Sequence, residues 1–492
     1  MENKSESKIK KLIPIEKQEF PKFIYTAMMM LIVVYVYSIL RASKDSLVIS
    51  HMGAELLSAI KLYGVLPSAV IFMLIYAKIV DMMSRIALFH VINWFFIGFF
   101  CIFALFLYPN YTSIHFDVSN LQKSLPFLKY FLTMIGGWSF SLFYILSELW
   151  GSIMLSLLFW QMANQITSLN EAKRFYPLFG FVAQAGLILA GQLGKFFSDA
   201  NVASGSWDKT LNYITLSILF AGIGLSYCLW NLQRIVGADV INDTAKKDTG
   251  KKKIKMGFIE SLKYIASSKS ILLITLLLLC YGTSINLVEG IWKKSMNMQF
   301  PDGNSYGSYM GSVQIWTGII SAIAMLSGTY LLRVISWKYA ALFTPIIIFV
   351  TGSVFFIFMI FQTQMTPFLS AMGFTALYIA VFSGGVQNVF SKGVKYAFFD
   401  PTKEMAYIPL DPDLKTKGKA AADVVGARLG KSSGAFIQQI SLMLIVGSDL
   451  LSLTPGMFVI FLVIMVIWFF AVVALSKEFE YQNSKNNDNK EK

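Results

Sequence analysis

The chain has 492 residues, of which 55% are hydrophobic and only 14% charged, and its mean hydropathy is +0.59. Soluble domains carry about 25% charged residues, so the composition argues against a water-soluble protein and for an all-α polytopic membrane protein. A formal net charge of +14 would suit a nucleic-acid partner, but the basic residues fall mainly between apolar runs. Topology accounts for them, and no nucleic acid is expected.

Residues 1–22 form a polar, basic tail with no small-residue cleavage site after the first apolar run, so the first helix is expected to be its own insertion signal. A crossing helix needs about 20 apolar residues. Twelve spans are expected, near 23–40, 58–80, 86–108, 146–168, 176–197, 210–233, 270–290, 308–331, 339–361, 368–391, 433–450 and 454–475. The alternating pattern of a transmembrane barrel is not present. The run 128–167 is long enough for two helices, and the distribution of cations decides between one and two. With one crossing and a cytosolic N-terminus, 33 of the 42 Lys and Arg face the cytosol. Two crossings would export "AKKDTGKKKIK" (245–255), against the positive-inside rule. Segment 128–145 therefore reads as an outer extension of the fourth helix or an interfacial segment, with a possible bend at Gly136-Gly137.

The basic linker 237–269 divides the chain into bundles 23–236 and 270–476 of six spans each, with a second cytosolic tail at 477–492. This is the arrangement of major-facilitator transporters. "EAKRFYPL" (171–178) after the fourth span and "KEMAYIPL" (403–410) after the tenth form a faint echo, either of duplication or of two unrelated proline-bearing loops. Cys101, Cys228 and Cys280 lie in apolar runs with no CxxC and no nearby His, as packing residues do. The histidines, His51, His90 and His115, are scattered, so neither a catalytic cluster nor a metal or other cofactor is expected.

An ionisable residue inside a span costs at least ~2.5–3.5 kcal/mol and usually faces a cavity or a partner. Lys61 opens the second span, Glu148 lies in "FYILSELWGSIML", Glu289 ends the seventh span in "NLVEGIWKK", and Lys431 opens the eleventh in "GARLGKS" beside Arg428. Snorkelling or structural Lys–Glu pairs are the bland alternative. Further polar groups stand nearby: Arg41, Lys44 and Asp45 in "LRASKDSLV", Asn164 in "FWQMANQIT", and Asn286, three residues before Glu289 and so on its helix face. Cations and amides in apolar helices suit an anionic, hydrogen-bonding solute. "GARLGKS" is one residue short of the GxxxxGK[ST] phosphate loop and follows no strand, so it does not mark an ATPase. A Lys at a helix start still suits phosphate.

"KYAFFDPTKEMAYIPLDPDLKTKGKAAADVVGARLGKS" (395–432), "SELWGSIMLSLLFWQMANQIT", "EAKRFYPLFG" and "NLVEGIWK" resemble, in order, motifs of the non-mitochondrial ATP/ADP translocases of obligate intracellular bacteria and plastids. The likeness runs from about residue 22 to 476. It implies twelve spans in a major-facilitator-like fold, nucleotide exchange with ATP and ADP as partners, and a bacterial inner-membrane location. It also implies four essential intramembrane charges, matched here by Lys61, Glu148, Glu289 and Lys431. Other ribonucleotides, NAD or proton-coupled net import are the alternatives within the family. A different anion carrier, or a membrane transferase, is the alternative outside it. A monomer in the lipid bilayer is expected to suffice. Loop 392–432 is expected on the cytosolic face, with Asp400-Pro401 and Asp411-Pro412 as turns and Lys415, Lys417 and Lys419 lining a latch or access vestibule.

Overall fold

The computed structural model describes residues 15–242, 258–411, 414, 418–422, 426–445 and 447–491. Among these residues the regular structure is helical throughout. Twelve long segments succeed one another as α1 (Phe20–Met52), α2 (Leu56–Val80), α3 (Arg85–Leu107), α4 (Trp138–Ile166), α5 (Leu169–Val202) and α6 (Trp207–Val236). They continue as α7 (Lys269–Gln299), α8 (Gly303–Val334), α9 (Trp337–Ile360), α10 (Ala376–Tyr407), α11 (Ala427–Leu444) and α12 (Thr454–Glu491). Ten of these are by themselves long and apolar enough to cross a bilayer. The segment α10 passes the same test of length and apolarity only together with the helix over Gln362–Ala371, to which it is bent by 102°. The remaining one, α11, is only 18 residues long and carries the polar "RLGKSS" run.

The ends follow from local chemistry. The capping box of Ser168 and Glu171 starts α5, and the side chains of Ser84, Ser268, Asp302 and Thr375 accept backbone N–H groups at the starts of α3, α7, α8 and α10. Gly53 and Gly237, at φ 91° and 93°, end α1 and α6. The helix over Lys129–Gly136 is separated from α4 by a break at Gly137 (φ −93°, ψ 46°), where the sequence suggested a bend.

One expectation is corrected. The stretch beginning at 392 is not a loop: α10 continues through a π-helical turn, Lys395–Phe399, into Asp400–Tyr407. Pro401 sits at the start of that last segment, and the widened turn before it relieves the clash and the missing N–H that proline brings to a regular helix. A second π turn, Ile60–Val65, precedes Pro67 in α2 in the same way. Pro412, Asp413, Lys415 and Lys417 of the expected loop lie outside the described residues.

The helices form two six-helix bundles. One core gathers apolar residues from Phe23 to Ile241; the other is built mostly from Ile265 to Leu475. The second core also takes in Val48, Ile49, Ala54, Leu56, Leu57 and Ile60. These come from the end of α1 and the start of α2, here termed the far face; the near face carries Phe20. Between the bundles α5 lies along α8. Gly191 and Gly311 let these two backbones meet, because a Cβ on Gly191 would fall 2.6 Å from Gly311 O.

At the far face the bundles are laced together. Ser46 Oγ donates to Gly303 O at 2.7 Å, Asn304 Nδ2 donates to Asn201 O at 3.0 Å, and Lys294 Nζ lies 2.7 Å from Glu55 Oε1. Several near-face ion pairs join residues of the same bundle: Lys22 with Glu171, Arg174 with Glu19 (2.6 Å), Lys269 with Glu478 (3.4 Å) and Lys419 with Glu404 (2.5 Å).

Candidate functional site

In the far half of α1, α2, α4 and α7, and midway along α10, charged side chains come together where the two bundles meet. Arg41 lies one turn of α1 before the adjacent Lys44 and Asp45. Lys44 Nζ lies 2.8 Å from Asp45 Oδ1 and 2.9 Å from Glu148 Oε1 on α4, with the Tyr144 ring 3.8 Å beneath it. Lys293 Nζ lies 2.8 Å from Asp45 Oδ2 and 2.8 Å from Glu289 Oε1, one turn back on α7. Arg41 Nη2 reaches the same Glu289 oxygen at 3.2 Å. In hydrocarbon such a network persists only because nearly every member has a counter-charge.

Two cations differ. Lys61 donates to Asn286 Oδ1 at 3.3 Å, and Lys392 on α10 donates to Asn388 Oδ1 at 2.7 Å. Among the described residues neither has a carboxylate within ion-pair reach, although both feel Glu289 at longer range. The group therefore holds five cations (Arg41, Lys44, Lys61, Lys293, Lys392) against three carboxylates (Asp45, Glu148, Glu289). The excess positive charge is the property an anion would neutralise.

Exposure is graded. The side chains of Lys44, Asp45 and Lys293 are at most 2% exposed, whereas Arg41 and Glu148 are 29% and 27% exposed. Arg41 lies one turn nearer than Asp45 to the near face. Taken with the far-face contacts, the grading describes a cleft sealed beyond Asp45 and Lys293 and approached from the near face. Two π turns flank the cluster: Ile60–Val65 carries Lys61, and Gly151–Phe159 begins three residues after Glu148. Irregular turns of this kind are frequent at functional sites.

Of the residues singled out from sequence, Arg41, Lys44, Asp45, Lys61, Glu148, Asn286 and Glu289 come together. Asn164 does not: it is exposed at the near-face end of α4, accepts from Tyr176 Oη at 2.6 Å, and stands about 24 Å along the helix from Glu148. Arg428 and Lys431 lie on the first turns of α11, but their side chains lie outside what is described. Sequence reasoning missed Lys293 and Lys392. Lys293 stands four residues after Glu289, a spacing that places it on the same face. Lys392 was hidden by assigning residues from 392 onward to a loop.

A helical membrane protein of two six-helix bundles, with a charged site buried between them, has the architecture of the major-facilitator fold. Two solved structures share the architecture: a bacterial homologue of the iron transporter ferroportin in an inward-facing state (TM-score 0.55, 13% identity, 96% of this chain and 100% of that one) and a D-xylose–proton symporter (0.54, 13%, 93% and 97%). At such identity they speak for the fold alone. The family model described as TLC ATP/ADP transporter matches residues 1–479. The "ADP,ATP carrier protein 1" of Rickettsia prowazekii is 41% identical over 486 residues, 98% of each chain. The chain belongs to the TLC ATP/ADP transporter family, and so is a transporter and not an enzyme.

Proposed function

We propose that the protein exchanges ATP for ADP across the membrane, importing external ATP against internal ADP. The relatives named ADP,ATP carrier support this reading. The observation that carries it is the pair of cations, Lys61 and Lys392, left without carboxylates in a site that straddles both bundles. Phosphate oxygens supply the missing counter-charge, because lysine serves as a point charge for phosphate. Asp45, Glu148 and Glu289 hold Arg41, Lys44 and Lys293 in place.

Bundles 23–236 and 270–476 act as rocking units around this site, in the alternating-access manner of inverted-repeat transporters. Termini and linker 237–269 are assigned to the cytosol by their basic charge, so the near face is the cytosolic one. One chain contains the whole site, so a monomer suffices. Exchange of a tetra-anion for a tri-anion moves net charge, and membrane potential enters the rate.

The test is exchange in proteoliposomes holding purified protein. Vesicles loaded with ADP take up labelled ATP, and external unlabelled ADP drives the label out again. Hexose phosphates do not compete. Uptake into vesicles without internal nucleotide would overturn exchange in favour of net import, and competition by hexose phosphate but not by adenine nucleotides would overturn the substrate.

A further inference from the structure

On α10, Lys392 and Tyr396 are one turn apart, about 6 Å along the axis. Lys392 is half-buried in a crossing helix, held by a neutral amide, and lies within electrostatic range of Arg41, Glu289, Lys293 and Asp45 from the other helices of the cluster. A cation so placed is poorly compensated by the protein. Tyr396 begins the π turn's exposed side: its ring is 43% exposed, with Lys395 Nζ 4.6 Å from the centroid, and Lys395 is itself neutralised by Asp400 at 2.7 Å. Lys392 and Tyr396 share a helix face, and Phe399, three residues further along that face, stacks on Tyr281 of α7 at 4.8 Å, so the ring is turned toward the space between the bundles. Opposite it, Tyr37 lies one turn before Arg41 and packs so closely on Gly151 that a Cβ there would sit 2.3 Å from its ring.

We infer that the C-terminal bundle binds the nucleotide through this single helical turn: Lys392 pairs with the terminal phosphates, opposite Lys61 from the other bundle, while the base lies on Tyr396, facing Tyr37. The spacing suits the chemistry: ribose and α-phosphate set the terminal phosphates further from the base than the one-turn rise from Lys392 to Tyr396, and the extended lysine side chain spans the difference. An aromatic face accepts any base, so the stacking gives affinity and the phosphate contacts give sensitivity to charge number. The inference rests on the nucleotide-exchange reading above.

The two residues make separable predictions, read with inorganic tripolyphosphate, which has phosphates and no base. In wild-type proteoliposomes tripolyphosphate inhibits ATP/ADP exchange. Lys392→Gln raises KM for ATP about tenfold and loses tripolyphosphate inhibition, the effect of one charge-assisted contact. Lys392→Arg restores both. Tyr396→Leu raises KM for ATP about tenfold but leaves the tripolyphosphate inhibition constant unchanged, and Tyr396→Trp restores the KM. Equal loss of both ligands in the two variants, or an unchanged KM in either, overturns the inference. Should Lys392→Gln fail to reach the membrane, the exposed Tyr396 variants and Lys392→Arg decide it. Absence of exchange in wild type is a different outcome and overturns the functional reading itself.

Discussion

Lys293 Nζ lies 2.8 Å from Asp45 Oδ2, and this contact ties α7 of one bundle to α1 of the other at a point where both side chains are sealed from solvent. It belongs to the closed side of the site, not to its accessible surface. Nothing can enter between these residues while the far face is shut, so their partnership stabilises one conformation. Removing one member of a buried pair costs roughly 3–5 kcal/mol because the other is left uncompensated, whereas removing both is often nearly neutral.

The expected outcome is a lowered thermal midpoint for Lys293→Met in detergent. Asp45→Asn combined with Lys293→Met regains most of the loss, because Lys44 retains Glu148 at 2.9 Å. Additive losses in the double variant, measured on the same purified protein, would reject the paired role.

Lys61 should behave in the opposite way. It donates only to the Asn286 amide, so Lys61→Gln removes no ion pair from the resting structure. Stability is expected to stay within about 1 kcal/mol of wild type. Exchange is expected to collapse, because no protein group can replace the lost phosphate contact. Near-normal exchange in reconstituted vesicles, at equal protein content, would remove Lys61 from the substrate site.

These contrasts show what the sequence could and could not disclose. Spans were legible because each is a long apolar run, and Glu148, Glu289 and the Arg41–Asp45 turn were legible because charge is costly there. Depth and partnership were not. Lys293 lay past the expected end of the seventh span at 290, yet α7 runs on to Gln299 and buries it. Lys392 looked like a loop residue because Asp400-Pro401 reads as a helix stop; the π turn that carries the helix past the proline has no composition of its own to announce it. Asn164 failed for a related reason: its helix was right, but 16 residues separate it from Glu148, too far along the axis to share a site.

The glutamates are counter-charges, and neither is expected to bind an anion. Glu148→Gln leaves Lys44 with Asp45, and Glu289→Gln leaves Lys293 with Asp45, so both variants should fold. Each adds one to the cation excess. The expected result is tighter ATP binding with slower turnover, a lowered KM together with a lowered kcat, since an over-neutralised nucleotide leaves more slowly. A raised KM with unchanged kcat, from initial rates of exchange at varied ATP, would count against this balance.

Opening of the far face must break Glu55–Lys294, Ser46–Gly303 and Asn304–Asn201. The first is an ion pair of mostly buried groups, 12% and 21% accessible, and removing one side of such a pair costs more than the up to about 1 kcal/mol of an exposed one. Glu55→Gln alone is therefore expected to shift the equilibrium toward far-side opening by more than about fivefold, and Glu55→Lys with Lys294→Glu should cancel it. A covalent link is decisive where the ion pair is not. In a background with Cys101, Cys228 and Cys280 replaced by serine, Glu55→Cys and Lys294→Cys place two thiols where the tips of two long side chains met, a gap too wide for a direct disulfide and suited to a short bis-methanethiosulfonate cross-linker. If the site is served alternately from the two faces, cross-linking that pair arrests exchange completely and reducing the cross-link restores it. Continued exchange with the cross-link fully formed would mean that the far face need not open here, and the rocking-bundle mechanism would have to be abandoned.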